Sequence, residues 1–197
     1  LIAGTGAAAV AAGLLGVRLQ GNSANAQEGE TQVPATPVAL GPTVPPEFEN
    51  TADWVVEGKD LAQTRNASSN INASNVSTLG TAWSYALDAI SGYGAVSSNP
   101  IIIGDTVYLQ DMENNVHAVG LETGELKWRP DFKTGTVGPN GIAIGYGRLA
   151  IGLGDTAEVA LLDAASGELL WRTDLSSNMG EGVDMAPLIY DNTVYVS

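Results

Sequence analysis

The sequence predicts an all-β fold, a β-propeller of four-stranded antiparallel blades, and three observations carry that prediction. The stretch Ala118 to Trp128, AVGLETGELKW, is followed 43 residues later by a near copy, Leu161 to Trp171, LLDAASGELLW, and Trp83 stands 45 residues before Trp128. A second ladder keeps the same period: Asp105-Thr106-Val107-Tyr108 recurs as Gly147-Arg148-Leu149-Ala150 and again as Asn192-Thr193-Val194-Tyr195. Turn-forming Gly, Asn and Asp residues punctuate short apolar runs throughout, and no run of a dozen residues sustains a helical period. Repeats of about 40 to 45 residues built from short strands are the signature of propeller blades.

Taken in order, residues 1–17, LIAGTGAAAVAAGLLGV, are uncharged and rich in Ala and Gly, and Ala24-Asn25-Ala26 offers a small-x-small cleavage site before Gln27. Residues 1–26 therefore read as a secretory signal peptide lacking its basic n-region, of a mild apolar kind closer to twin-arginine signals than to ordinary ones. The alternative is an uncleaved anchor tethering the protein to a membrane through residues 1–17. Residues 27–50 carry Pro34, Pro37, Pro42, Pro45 and Pro46 with several acids and read as a Pro-rich linker. The propeller occupies 51–197. Asn72 to Leu79 reads as one helical turn capped by Asn72 or Ser74, and Trp83 to Leu87 as the start of a strand. Ile101 to Ile103 and Thr106 to Gln110 form a hairpin about Gly104-Asp105, and the chain turns again at Asn114-Asn115. Gly124 and Gly167 read as the positive-φ residues of two-residue hairpins. The next blade runs from Gly141 through Leu153, turns at Gly154-Asp155, continues over Glu158 to Leu162 and closes on Trp171. Ala186 to Ile189 and Thr193 to Ser197 open a third. Trp128 and Trp171 are expected at equivalent, buried places.

The formal charge is −14, from 22 acidic and 8 basic residues. Without clustered Lys and Arg a nucleic-acid partner is excluded, and an anionic membrane surface is disfavoured. The chain has no cysteine, which excludes a thiolate zinc site, a disulfide and a lipid-anchor Cys in this region. His117 is the only histidine, mid-strand, and reads as a packing residue rather than a catalyst. No Ser-His-Asp triad, metal-ligand cluster or phosphate-cradling loop can be assembled.

The spacings Ala118-x-x-x-x-Thr123-Gly124-x-x-x-Trp128 and Asp163-x-x-Ser166-Gly167-x-x-x-Trp171 resemble the tryptophan-docking motif of the quinoprotein (PQQ-dependent) alcohol dehydrogenase family. The departures are Gly120 for the motif's Asp and Leu161 for its Ala. In that family the indole of one blade packs on the Gly turn of its neighbour, so these Trp residues are expected in the core and not at a cofactor. Asp53-Trp54, Gly58-x-Asp60-x-x-x-Thr64-Arg65 and Ile71-x-x-x-Asn75-Val76-x-x-Leu79-x-x-x-Trp83-x-Tyr85 are similar to the lead-in of quinoprotein and polyvinyl-alcohol dehydrogenases. The resemblance implies a ring of about eight blades, roughly 350 residues at this period, of which about two and a half are in view, so the chain reads as an N-terminal fragment.

The family's quinone lies on the axis, at the inner strands. By motif, Ser97 stands where the dehydrogenases have a cofactor-contacting Glu before the first blade, and Asp184 where they have a Thr before the third. Both are departures. Ser97 and Asp184 are therefore the candidate cofactor-binding positions, read first as inner-strand polar residues, and no catalytic or metal-binding residue is assigned. The family's catalytic Asp, calcium ligands and quinone-clamping Arg would lie beyond Ser197. Two functions follow from the resemblance. One is an exported, periplasmic or extracellular dehydrogenase that oxidises an alcohol or sugar with PQQ and calcium and passes electrons to an acceptor such as a cytochrome c. The other is a non-catalytic propeller of the same superfamily that acts as a scaffold for a protein partner.

Overall fold

The computed structural model describes residues 15–18, 43–50, 52–89, 91–136, 140–176, 178 and 181–197. Among the described residues there are eleven strands, all antiparallel in their pairing: β1 (Leu15–Arg18), β2 (Ile101–Ile103), β3 (Thr106–Gln110), β4 (Val116–Gly120), β5 (Leu126–Trp128), β6 (Ile142–Gly145), β7 (Arg148–Leu153), β8 (Glu158–Asp163), β9 (Leu169–Asp174), β10 (Leu188–Tyr190) and β11 (Thr193–Val196). They form two four-stranded meanders, β2-β3-β4-β5 and β6-β7-β8-β9, and a three-stranded sheet ordered β1-β11-β10. The only helical pieces among the described residues are single 3-10 turns at Pro46–Glu49, Val76–Thr78 and Gly154–Thr156. The expected signal peptide and most of the linker lie outside the described residues; β1 is the part of the former that is placed. Among the described residues no helix is long and apolar enough to cross a membrane.

The sheets stack face to face. One apolar layer joins the first meander to the second through Tyr108, Val116 and Ala118 against Leu149, Ile151, Ala160 and Leu162. A second layer joins the second meander to the third sheet through Ala150, Val159 and Leu161 against Val183, Ile189 and Val194. Both faces of β7 and β8 are thus covered, which explains why these strands read as continuous apolar runs rather than alternating ones. The inner hairpins turn at Gly104-Asp105, Tyr146-Gly147 and Asp191-Asn192. At the last two both central residues have positive φ, 55° and 67°, then 47° and 52°, as a type I′ turn requires.

Several expectations need correction. The loops at Gly124 and Gly167 are not two-residue hairpins. Gly120 N–H donates to Glu125 O at 2.8 Å and Asp163 N–H to Glu168 O at 2.9 Å, which leaves four residues between each pair. Gly124 and Gly167 do have positive φ, 71° and 75°, at the end of those loops. Trp83 to Leu87 is not a strand, because no described strand offers it a ladder. The segment is held by side chains instead, with Trp83 Nε1 donating to Leu121 O at 2.8 Å. The helical turn is a 3-10 turn that follows Asn75, with no side-chain cap; the Asn72 carbonyl side chain accepts from Ser74 N–H instead. Trp128 and Trp171 are half-buried, not buried. Their placement is nonetheless specific: a Cβ on Gly124 would lie 2.7 Å from the Trp83 indole, and one on Gly167 would lie 2.6 Å from the Trp128 indole. Each indole lies on the glycine of the following repeat, at a distance only a residue without a side chain permits.

Candidate functional site

The first strands of the three sheets, β2, β6 and β10, converge on one cavity of about 320 Å³, lined by Ile101, Ile142, Ile144 and Leu188 on one side and by Phe48, Val56 and Leu61 on the other. Convergence of the innermost strands of radial sheets defines the axis. The segments that lead into these strands form the rim of one end. Ser97 is exposed there, its Oγ 3.0 Å from Met112 Sδ and 3.2 Å from Asn140 Oδ1. Asp184 is half-buried and accepts a hydrogen bond from Thr136 Oγ1 at 3.2 Å. It lies over the Gly154 turn, where an added Cβ would meet Asp184 Oδ1 at 3.1 Å.

Behind the rim runs a net of buried amides. Gln110 Nε2 donates to Gly152 O and to Asn114 Oδ1, both at 2.9 Å, and Gln110 Oε1 accepts from Gly141 N–H at 3.0 Å. Asn140 Nδ2 donates to Asp111 O at 2.8 Å. Gln110 and Asn114 are fully buried, so these bonds satisfy groups that would otherwise cost roughly 1–3 kcal/mol each. The net ties the first blade to the second at the end where the rim residues stand.

A second polar cluster lies on the other face of the first blade. His117 and Asp111 are both fully buried, with His117 Nε2 2.8 Å from Asp111 Oδ2. His117 Nδ1 lies 3.0 Å from Tyr85 OH. The carboxylate fixes the tautomer: Nε2–H donates to Asp111, so Nδ1 accepts the phenolic proton. Asp111 also accepts from Asn115 Nδ2 and from the Glu113 and Asn115 amides. Burial acts to raise the Asp111 pKa, but the hydrogen bonds from His117, Asn115 and the two amides together hold it below the ordinary carboxylate value. Burial pushes the Tyr85 phenol up, so it is not an activated nucleophile.

The Asp111 shift sets a pH dependence. A carboxylate depressed in the folded state contributes stability that is full above its unfolded pKa and is lost as pH falls through the folded value. Unfolding free energy is therefore expected to fall along the acid limb below the ordinary carboxylate range, and Asp111→Asn should flatten that limb in urea titrations at stepped pH.

The sequence placed Ser97 and Asp184 on the inner strands, but they stand in the segments ahead of β2 and β10, and the Asp111–His117 pair and the amide net were not read from it. The pair was detectable in principle: Asp111 and His117 flank the Asn114-Asn115 turn of one hairpin, where a carboxylate and an imidazole approach across the strands. Among the described residues no group of three His, Asp or Glu side chains could hold a metal ion.

Radial four-stranded antiparallel sheets, stacked face to face with their first strands about one axis, define a β-propeller repeat protein. Residues 54–146 match the family model described as the glucose/ethanol/alcohol dehydrogenase beta-propeller domain. Residues 113–197 match that of the outer membrane protein assembly factor BamB. The quinohemoprotein alcohol dehydrogenase of Comamonas testosteroni is 35% identical over 131 residues, covering 61% of this chain and 18% of that protein. The lanthanide-dependent methanol dehydrogenase of Methylacidiphilum fumariolicum is 30% identical over 157 residues, covering 73% of this chain and 25% of that protein. The crystal structure of the Comamonas enzyme superposes with a TM-score of 0.62 at 30% identity, over 71% of this chain and 22% of that one. A europium-containing methanol dehydrogenase does so at 0.62 and 27%, over 72% and 26%. The chain is a PQQ-type propeller of the quinoprotein alcohol dehydrogenase-like superfamily, and it spans about a fifth to a quarter of the length of these relatives.

PQQ is a tricarboxylate, so its fit to this arc can be judged from charge. The rim residues 94–100, 134–136, 140–141 and 182–187 include no Lys or Arg; they offer hydroxyls and amides, and Asp184 is their one charged side chain. A carboxylate facing a tricarboxylate is repulsive unless a cation intervenes. This arc of the ring does not by itself fit the cofactor.

Proposed function

We propose that the protein is an exported quinoprotein-like dehydrogenase that oxidises an alcohol or sugar with PQQ and a bound calcium or lanthanide ion, with an acceptor such as a cytochrome c. The observation that carries the reading is the 35% identity to a quinohemoprotein alcohol dehydrogenase over 131 residues. In this reading the described blades build the wall of the ring, and the charges that meet the cofactor come from outside this arc. Ser97 would offer one hydroxyl to it, whereas Asp184 would face it only across a cation. Export would direct the protein to the periplasm or beyond, either free or tethered through residues 1–17.

A second reading is supported by the rim itself. A propeller whose axial end presents Asp184 and neutral side chains suits a non-catalytic scaffold for a protein partner as well as it suits an enzyme. Calorimetric titration of the full-length protein with PQQ, in calcium and then in a lanthanide, separates the two. Stoichiometric binding at a micromolar or tighter dissociation constant is expected for the dehydrogenase. No heat at high cofactor excess, from protein shown to be folded, would sink that reading and leave the scaffold.

A further inference from the structure

Each inner hairpin leaves the N–H of its first turn residue without a partner inside the turn, and these donors recur with the repeat at Gly104, Tyr146 and Asp191. All three are met by one stretch of chain. Gly104 N–H donates to Asp53 Oδ1 at 3.1 Å. Tyr146 N–H and Gly147 N–H donate to the two oxygens of Glu47 at 3.0 and 2.7 Å. Asp191 N–H donates to Thr43 O at 3.0 Å, and Thr43 N–H returns a bond to Asp191 Oδ1 at 3.2 Å. Pro45 is buried against Gly145, where a Cβ would meet its ring at 2.9 Å, and Trp54 exchanges both backbone bonds with Ile102 at 2.9 Å. The order of contacts, 43 to the third sheet, 47 to the second and 53 to the first, runs against the order of the blades.

We propose that residues 43–50 and 52–56, the end of the Pro-rich segment and the start of the lead-in, are a strap that binds the repeating turn donors of three successive blades as one unit and closes that end of the axial cavity. Phe48 and Val56, which belong to the strap, stand in the cavity wall opposite β2, β6 and β10. The prolines suit the role, because a chain already restricted in φ loses less entropy when it is laid across a surface. The consequence is directional: ligands reach the cavity from the Ser97 and Asp184 end, and the opposite end opens only when the strap lifts.

The test uses site-resolved hydrogen exchange and thiol labelling on the full-length protein. Losing the charged acceptor in Glu47→Ala should speed exchange at Tyr146 and Gly147 roughly tenfold or more, since hydrogen bonds to charged groups are worth about 1.5–3 kcal/mol. If the strap is one unit, Asp191 exchange rises with them, and a thiol introduced by Ala143→Cys in the cavity wall reacts faster with maleimide. A thiol introduced by Met185→Cys at the exposed rim keeps its rate. Faster exchange confined to Tyr146 and Gly147, with Asp191 and the introduced wall thiol unmoved, would reduce Glu47 to a local turn cap and overturn the proposal. Should Glu47→Ala not fold, the unmutated protein decides in low denaturant: the Gly104, Tyr146 and Asp191 amides must open with one common free energy, and independent opening overturns the strap.

Discussion

Replacing Gly167 by alanine is expected to destabilise the protein by about 2–5 kcal/mol, through a contact as well as through the backbone. The backbone part is the left-handed conformation, φ 75°, which costs an L-residue roughly 1–2 kcal/mol. The contact part is the Trp128 indole, 2.6 Å from where the new methyl must go. Gly147→Ala supplies the control. It has nearly the same φ, 67°, but no heavy atom within 4 Å of the added Cβ, so it carries the backbone cost alone. Urea midpoints of the two variants at unchanged m-value should differ by the overpacking term, about 1–3 kcal/mol. Equal losses would mean that the indole yields freely and that the joint between the two repeats does not depend on this contact. Gly124→Ala, under Trp83, is the same experiment one repeat earlier.

That pairing of Trp with Gly also shows how far the sequence reaches. The period, the strands either side of Gly104-Asp105 and the positive φ at Gly124 and Gly167 were legible because they are local. Each follows from a residue's own conformational preference and from its immediate neighbours. The same local reasoning misjudged the Trp83 to Leu87 segment: it has strand composition, but a strand is a property of two chains, and no described strand lies beside it. The two-residue hairpin failed for a related reason. Asp163 accepts from the Ala165 and Ser166 amides and from Ser166 Oγ, and such side-chain bonds stabilise a longer loop that the Gly alone does not announce. The Pro-rich stretch was read as a linker, because its composition offers little apolar surface to bury. Its last part is held by turn donors spread across nearly ninety residues of chain, from Gly104 to Asp191, which no local window contains. Ser97 and Asp184 were singled out by their place in the family's blade-opening motifs, ahead of Pro100 and Pro187, whereas their neighbours Asn140 and Thr136 come from a connection that keeps no such motif.

His117→Ala is expected to cost about 1.5–3 kcal/mol, the range for a hydrogen bond to a charged group, with the cavity left by the ring adding to it. The equivalent position in the next repeat is Ala160, also fully buried, so the fold itself accepts a small side chain there. What it does not accept is a carboxylate without its partner. Asp111 would keep Asn115 Nδ2 and two amides but lose the imidazole, and Tyr85 OH would lose its acceptor. Removing both members separates these contributions. If the loss comes from the stranded carboxylate, the double variant Asp111→Ala with His117→Ala should be less destabilised than the sum of the single variants, by a coupling of about 0.5–3 kcal/mol. Additive losses would assign the cost to cavities instead and remove the pair from the account. The pH dependence is a second check. The hydrogen bond from His117 is one of the causes that depress Asp111, so protonating that carboxylate removes part of what His117 contributes. The gap between the unmutated protein and His117→Ala should therefore narrow as pH falls through the folded Asp111 value, and a gap that stays constant across that window would contradict the assignment.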